Sequence, residues 1–167
     1  MPDLRLVQSG VYPYQSEVSV DWLLLNDGTL DDTQALATAV IVALGTDRLA
    51  DADDLLPDPD STDRRGWWGD FDAETIWQGW PIGCRLWLMY REKITGPNAQ
   101  RGATVARIEQ YVREAIQPFL DMRIASHMQL AIARIDTQRI DVLIQLYRGP
   151  ELAIDLRYQI LWEGIQP

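Results

Sequence analysis

Arg139-Ile140-Asp141-Val142-Leu143-Ile144-Gln145-Leu146-Tyr147-Arg148-Gly149-Pro150-Glu151-Leu152-Ala153-Ile154-Asp155-Leu156-Arg157-Tyr158-Gln159-Ile160-Leu161-Trp162 decides the fold class. Ile140, Val142, Ile144 and Leu146 recur at every second residue, the period that lines one face of a β-strand. Arg148-Gly149-Pro150 is a turn signal. Beyond it Leu152, Ile154, Leu156, Tyr158, Ile160 and Trp162 face one way, and Asp155, Arg157, Gln159 and Glu163 the other. Upstream, Met128, Leu130 and Ile132 alternate in the same manner, with Asp136-Thr137-Gln138 as the intervening turn. The three runs predict an antiparallel β-meander over 128–162 with one dry face.

The last run is about twice the usual strand of ~5–6 residues. Its predecessor reads as shorter, which would leave backbone groups near its end without an intramolecular partner. A long unpaired edge invites strand addition by another chain. The plainer alternative is a bent strand covered by the N-terminal segment.

A dry sheet face needs a covering layer, and the rest of the chain offers helices. Leu36, Val40, Ile41 and Leu44 share a face of a helix expected over 33–44, with Asp31 or Asp32 as its cap and Gly45 at its end. Leu86, Met89 and Tyr90 suit a short helix between Ile82 and about Lys93, broken at Thr95-Gly96-Pro97-Asn98. Val105, Ile108, Val112, Ala115 and Ile116 make an apolar stripe on a longer helix that Pro118 is expected to end. Arg107, Glu109, Arg113 and Glu114 would form its solvated face. Residues 1–30 read as strands and turns, with Val18–Leu25 a strand candidate and Asn26-Asp27-Gly28 a turn. The expectation is an α+β fold, one domain over 1–167, with a C-terminal antiparallel meander packed against two or three helices.

Composition narrows the function. The chain has 167 residues, 47% of them hydrophobic, and a net charge of −10. That size supports a real core, and that charge argues against nucleic acid or anionic membrane as partner. No apolar run approaches the ~20 residues of a membrane helix. Met1-Pro2-Asp3-Leu4 has neither a basic n-region nor an apolar h-region, so no secretory signal is expected. One cysteine, Cys84, permits no internal disulfide, which suits a reducing compartment such as a cytoplasm.

Little here resembles catalytic machinery. One histidine, His127, rules out a His-cluster metal site. Ser126 and His127 are neighbours at a strand entrance and make a poor nucleophile–base pair, and a Cys84–His127 dyad is a remote option. No nucleotide-binding glycine motif occurs. Two rival classes stay open. An acidic, lysozyme-like glycoside hydrolase would use a carboxylate pair, with Trp67, Trp68, Trp77 and Trp80 lining a sugar cleft. A calcium-binding module would use the aspartate-rich loop of 47–70, although Asp58-Pro59-Asp60-Ser61-Thr62-Asp63 lacks the glycine and distal glutamate of an EF-hand. No cofactor or metal is expected.

At the end of that loop stands Asp63-Arg64-Arg65-Gly66-Trp67-Trp68-Gly69-Asp70. Arginine and tryptophan are enriched among interface hot spots. Arg64, Arg65, Trp67 and Trp68 are therefore partner-binding candidates, with Leu152, Ile154, Leu156, Tyr158, Ile160 and Trp162 of the last strand. Arg64 and Trp67 are expected to serve assembly more than the stability of the monomer.

Thr46-Asp47-Arg48, the loop with Leu56-Pro57-Asp58, the 63–70 run, and Gly83-Cys84-Arg85-Leu86-Trp87-Leu88 followed by Arg91-Glu92-Lys93 together resemble the Mu-like tailed-phage baseplate family. The resemblance runs from about Val20 to Trp162. That family is remotely similar to the lysozyme-like wedge, or sheath initiator, proteins of contractile tails, which are structural despite the name. Relatives often carry Glu-Pro-Arg after the long helix, whereas this chain reads Gln117-Pro118-Phe119. The resemblance implies a virion protein assembled in the host cytoplasm and held in six copies around the tail hub. It also implies larger wedge proteins and tail sheath subunits as neighbours, with sheath arms adding strands to its sheet.

Overall fold

The computed structural model describes residues 6–9, 19–22, 27, 35–72, 75, 79, 81–90, 102–135 and 139–161. The expected breaks at 95–98 and 136–138, the helix cap at 31–32, and Lys93, Trp77, Trp80 and Trp162 lie outside them. The architecture is α+β. The chain divides into two compact units, Met1–Val42 and Ala43–Pro167.

The first unit contains β1 (Leu6–Ser9) and β2 (Ser19–Trp22), which pair antiparallel with Leu6 opposite Trp22. β2 falls within the strand expected over 18–25. Helix α1 (Ala35–Gly45) begins near the expected position. It buries Val40, Ala43 and Leu44, and ends at the expected glycine.

The second unit is organised by α2 (Ala103–Asp121) and a three-stranded antiparallel sheet of β3 (His127–Arg134), β4 (Arg139–Arg148) and β5 (Glu151–Leu161) in that order. Ile140, Val142, Ile144 and Leu146 of β4 are all fully buried. At about 1.5–3 kcal/mol per buried aliphatic side chain, β4 anchors the dry face. Met128, Leu130 and Ile132 sit opposite Leu146, Ile144 and Val142 and share that face. Helix α2 packs against β3, burying Ile108, Val112, Ala115, Ile116 and Phe119.

Three expectations need correction. Helix α2 does not stop at Pro118 but continues through it to Asp121. Proline there removes one late backbone bond, and Phe119, 2% exposed, holds the last turn on the core. The length argument for an unpaired end on β5 also fails, because β4 matches β5 from Arg148↔Glu151 to Arg139↔Leu161. Finally, Leu152 leaves the common face. A register shift at Leu146/Tyr147 sets Leu152 opposite Tyr147 and Ile154 opposite Leu146. The β-bulge thus turns Leu152 outward, 49% exposed, while Ile154 stays buried.

Candidate functional site

The family-signature segments, separated by up to forty residues, meet in the second unit. Asp47 and Cys84 form a parallel bridge, in which Cys84 N–H donates to Thr46 O (2.8 Å) and Arg48 N–H to Cys84 O (3.3 Å). Gly83, at φ +118, makes the crossing possible. A Cβ there would lie 2.7 Å from Thr46 O and 2.8 Å from Arg48 N. After the bridge the chain enters a 3-10 helix, Arg85–Met89, shorter than the helix expected from 82. Trp87 is buried in it and its Nε1–H donates to Arg48 O (2.8 Å).

Arg85 is the hub. It is 7% exposed, and its guanidinium pairs with Asp51, with Asp54 Oδ2 (2.8 Å) and with Glu114 Oε2 of α2 (2.6 Å). The Tyr111 ring lies against it, 5.2 Å from centroid to Cζ. Burial disfavours its charge, yet the hydrogen bonds and charges of Glu114 and Asp54 outweigh burial and hold the group above its ordinary value. Glu114 is therefore not part of a purely solvated helix face. It anchors the acidic loop.

The 63–70 run folds onto the same cluster. Arg64 Nη2 donates to Asp51 O (2.5 Å) and Ala52 O (2.7 Å), and Ala50 N–H donates to Arg64 O (3.0 Å). Arg65 pairs with Asp47 and stacks over the rings of Trp87 (4.7 Å) and Tyr90 (5.5 Å). Trp67 is half-buried over Gly69, where a Cβ would come within 2.2 Å of its ring. Trp68 is 82% exposed, its ring 5.3 Å from that of Trp67. Of the four candidates in the run, the two arginines brace the loop internally, and Trp68 is presented to solvent.

Of the other candidates, Leu152, Ile154, Leu156, Tyr158 and Ile160 belong to β5, whereas Trp162 lies outside the described residues. Ile154 is buried, Leu156 half-buried and Leu152 exposed. Tyr158 and Ile160 stand opposite Val142 and Ile140 in register. Among the described residues nothing pairs with the outer side of β5.

The Ser126, His127 and Cys84 side chains are engaged in structural contacts. Ser126 Oγ donates to Tyr147 O (2.9 Å) and accepts from Gly149 N–H (3.0 Å), tying down the β4–β5 turn, although it also lies 3.2 Å from His127 Nδ1. His127 stacks on Tyr147 with centroids 4.1 Å apart. Cys84 is 2% exposed and its thiol donates to Tyr111 O (3.3 Å). Asp51, Asp54 and Glu114 neutralise Arg85. Among the described residues no group of three or more His, Cys, Asp and Glu side chains could hold a metal ion, and no helix is long and apolar enough to cross a membrane.

Burial pushes the Cys84 thiol up from 9.0 to about 12, against weaker lowering by the Leu86 and Arg85 backbone N–H groups. Below pH 9 both states keep the proton. Between pH 9 and 12 the unfolded chain loses it first, so stability falls as pH rises through that window. The expected slope is about −1.4 kcal/mol per pH unit, read by urea unfolding at a series of pH values. Cys84→Ala should remove this contribution, and in the wild type a thiol reagent should label only unfolded chain.

Residues 36–151 match the family described as phage protein GP46. Over 91 residues the chain is 45% identical to the baseplate protein gp46 of Escherichia phage Mu, an alignment covering 54% of this chain and 53% of the relative. The chain therefore spans about half the length of the curated relative it matches. No solved structure matches.

Proposed function

The chain belongs to the phage protein GP46 family, and from that premise we propose that it is a structural component of the phage baseplate, without a catalytic step. More finely, it acts as a wedge protein of a contractile tail. It links larger wedge proteins around the hub and initiates the sheath by accepting partner strands along β5. Six copies per baseplate and residence in the virion tail belong to the same reading, as does a single domain.

The observation that carries the reading is the outer edge of β5. The strand has eleven residues, pairs with β4 along its length on one side apart from the bulge at Ala153, and is unpaired on the other among the described residues. An edge of that length offers several main-chain donors and acceptors in register. The buried side chains of β4 hold it rigid beforehand, which lowers the entropy cost of strand addition. Trp68 offers an aromatic anchor on a braced loop for a second contact.

Single prolines placed in turn from Asp155 to Ile160 test the strand. In an antiparallel ladder the N–H groups of successive residues point to alternate sides. Prolines that remove an inward N–H should lower the melting temperature. Prolines that remove an outward N–H should leave it nearly unchanged and abolish co-purification with tail sheath subunits. Capture that declines only in step with melting temperature would refute strand addition.

A further inference from the structure

At the C-terminal end of α2, Ile124 N–H donates to Phe119 O and Arg123 N–H to Leu120 O, both at 2.9 Å. These are the paired reverse bonds of a Schellman stop. Arg123 occupies its left-handed position, at φ +58, where glycine is usual because a Cβ is strained. An arginine kept against its own backbone preference points to work for the side chain. Its guanidinium forms no ion pair among the described residues. Arg148, at the end of β4, donates from Nε to Ile124 O (3.1 Å) and likewise has no ion pair there. The two arginines flank a concavity of about 650 Å³ walled by Leu120, Ile124 and Ala125. In a chain of net charge −10, that hollow suits an acidic ligand that also offers an apolar side chain.

The chain carries such a group. Leu55 is 90% exposed, the most exposed large hydrophobic side chain among the described residues, and exposed Asp53 is close beside it in sequence. The loop presenting it is braced. Asp54 N–H donates to Asp51 O (3.0 Å), Asp51 N–H to Asp54 Oδ2 (2.8 Å), and Arg85 holds both carboxylates. A preorganised knob gives up little conformational freedom on docking.

We infer that Leu55 and Asp53 of one copy dock into the Arg123–Arg148 hollow of a second copy. Knob and hollow are different patches of the same unit, so the contact is head-to-tail and builds rings or filaments rather than two-fold dimers. Repulsion between two strongly acidic copies is screened beyond about 8 Å at physiological ionic strength, while arginine–aspartate contacts fall within that range. The inference does not depend on the baseplate reading.

Sedimentation velocity of the full chain over a concentration series tests it. Wild type is expected to associate, and Leu55→Asp and Arg123→Gly each to weaken association at least about tenfold. Arg123→Gly should also raise the melting temperature by about 2–4 °C, because glycine relieves the left-handed position, which separates loss of contact from loss of fold. Mixing the two variants should yield dimers and nothing larger, since one retains the knob and the other the hollow. A wild type that stays monomeric, association that persists in Leu55→Asp, or a mixture without dimers would each overturn the contact.

Discussion

Arg85→Ala is expected to lower the melting temperature by about 6–12 °C, corresponding to about 3 kcal/mol for removing one partner of a buried ion cluster. The cost comes from what stays behind. Asp54 is 17% exposed and Glu114 31%, so both carboxylates would remain partly desolvated without their cation. Asp51, at 56%, can turn to water and adds little. The acidic loop would also lose its tie to α2, leaving Arg64 as a brace at its base.

A replacement set separates charge from packing. Arg85→Met combined with Asp54→Asn and Glu114→Gln removes the arginine and its two less exposed carboxylates, leaves the more exposed Asp51, and roughly keeps volume. It should recover most of the loss, because an apolar or neutral substitute for a buried ion cluster is often near neutral. Thermal melts of the single and triple variants decide the point. A triple variant as unstable as Arg85→Ala would move the effect from electrostatics to shape.

The meander was legible because its signal is local. A period of two in Ile140, Val142, Ile144 and Leu146 needs no knowledge of the rest of the chain, and all four are buried. The bulge was not legible, since nothing in Glu151-Leu152-Ala153 marks where register shifts. Pro118 misled for the opposite reason: the local rule is sound, but Phe119 packing outweighs one missing backbone bond. The Arg85 cluster joins residues 29 to 34 positions apart, and no periodicity encodes that. One signal was available. An arginine inside the apolar run Gly83-Cys84-Arg85-Leu86-Trp87-Leu88 must bury its charge or break the run. Burial requires carboxylates, and the aspartate loop is where the chain keeps them.

Gly83→Ala is expected to cost at least about 3 kcal/mol, combining backbone strain of ~1–3 kcal/mol with two weakened hydrogen bonds of ~0.5–1.5 kcal/mol each. The atoms a Cβ would strike, Thr46 O and Arg48 N, are both backbone. Neither can swing aside as the end of a side chain would. Separating the strands also removes the acceptor of Trp87 Nε1–H, because that acceptor is Arg48 O. The damage should be local first. Hydrogen exchange is expected to show lost protection at Arg48, Ala50 and Cys84, whose N–H groups are bonded across the cluster, with the centre of β4 still protected. Combined with Arg85→Ala, the loss should be clearly less than the sum of the two, because either change alone dismantles the same contacts. Full additivity would mean that the glycine crossing and the arginine hub stabilise the chain independently. Sub-additivity would make the signature segments around 46–54, 63–70 and 83–88 one cooperative brace. The acidic loop and Trp68 would then stand on a rigid base when a partner arrives.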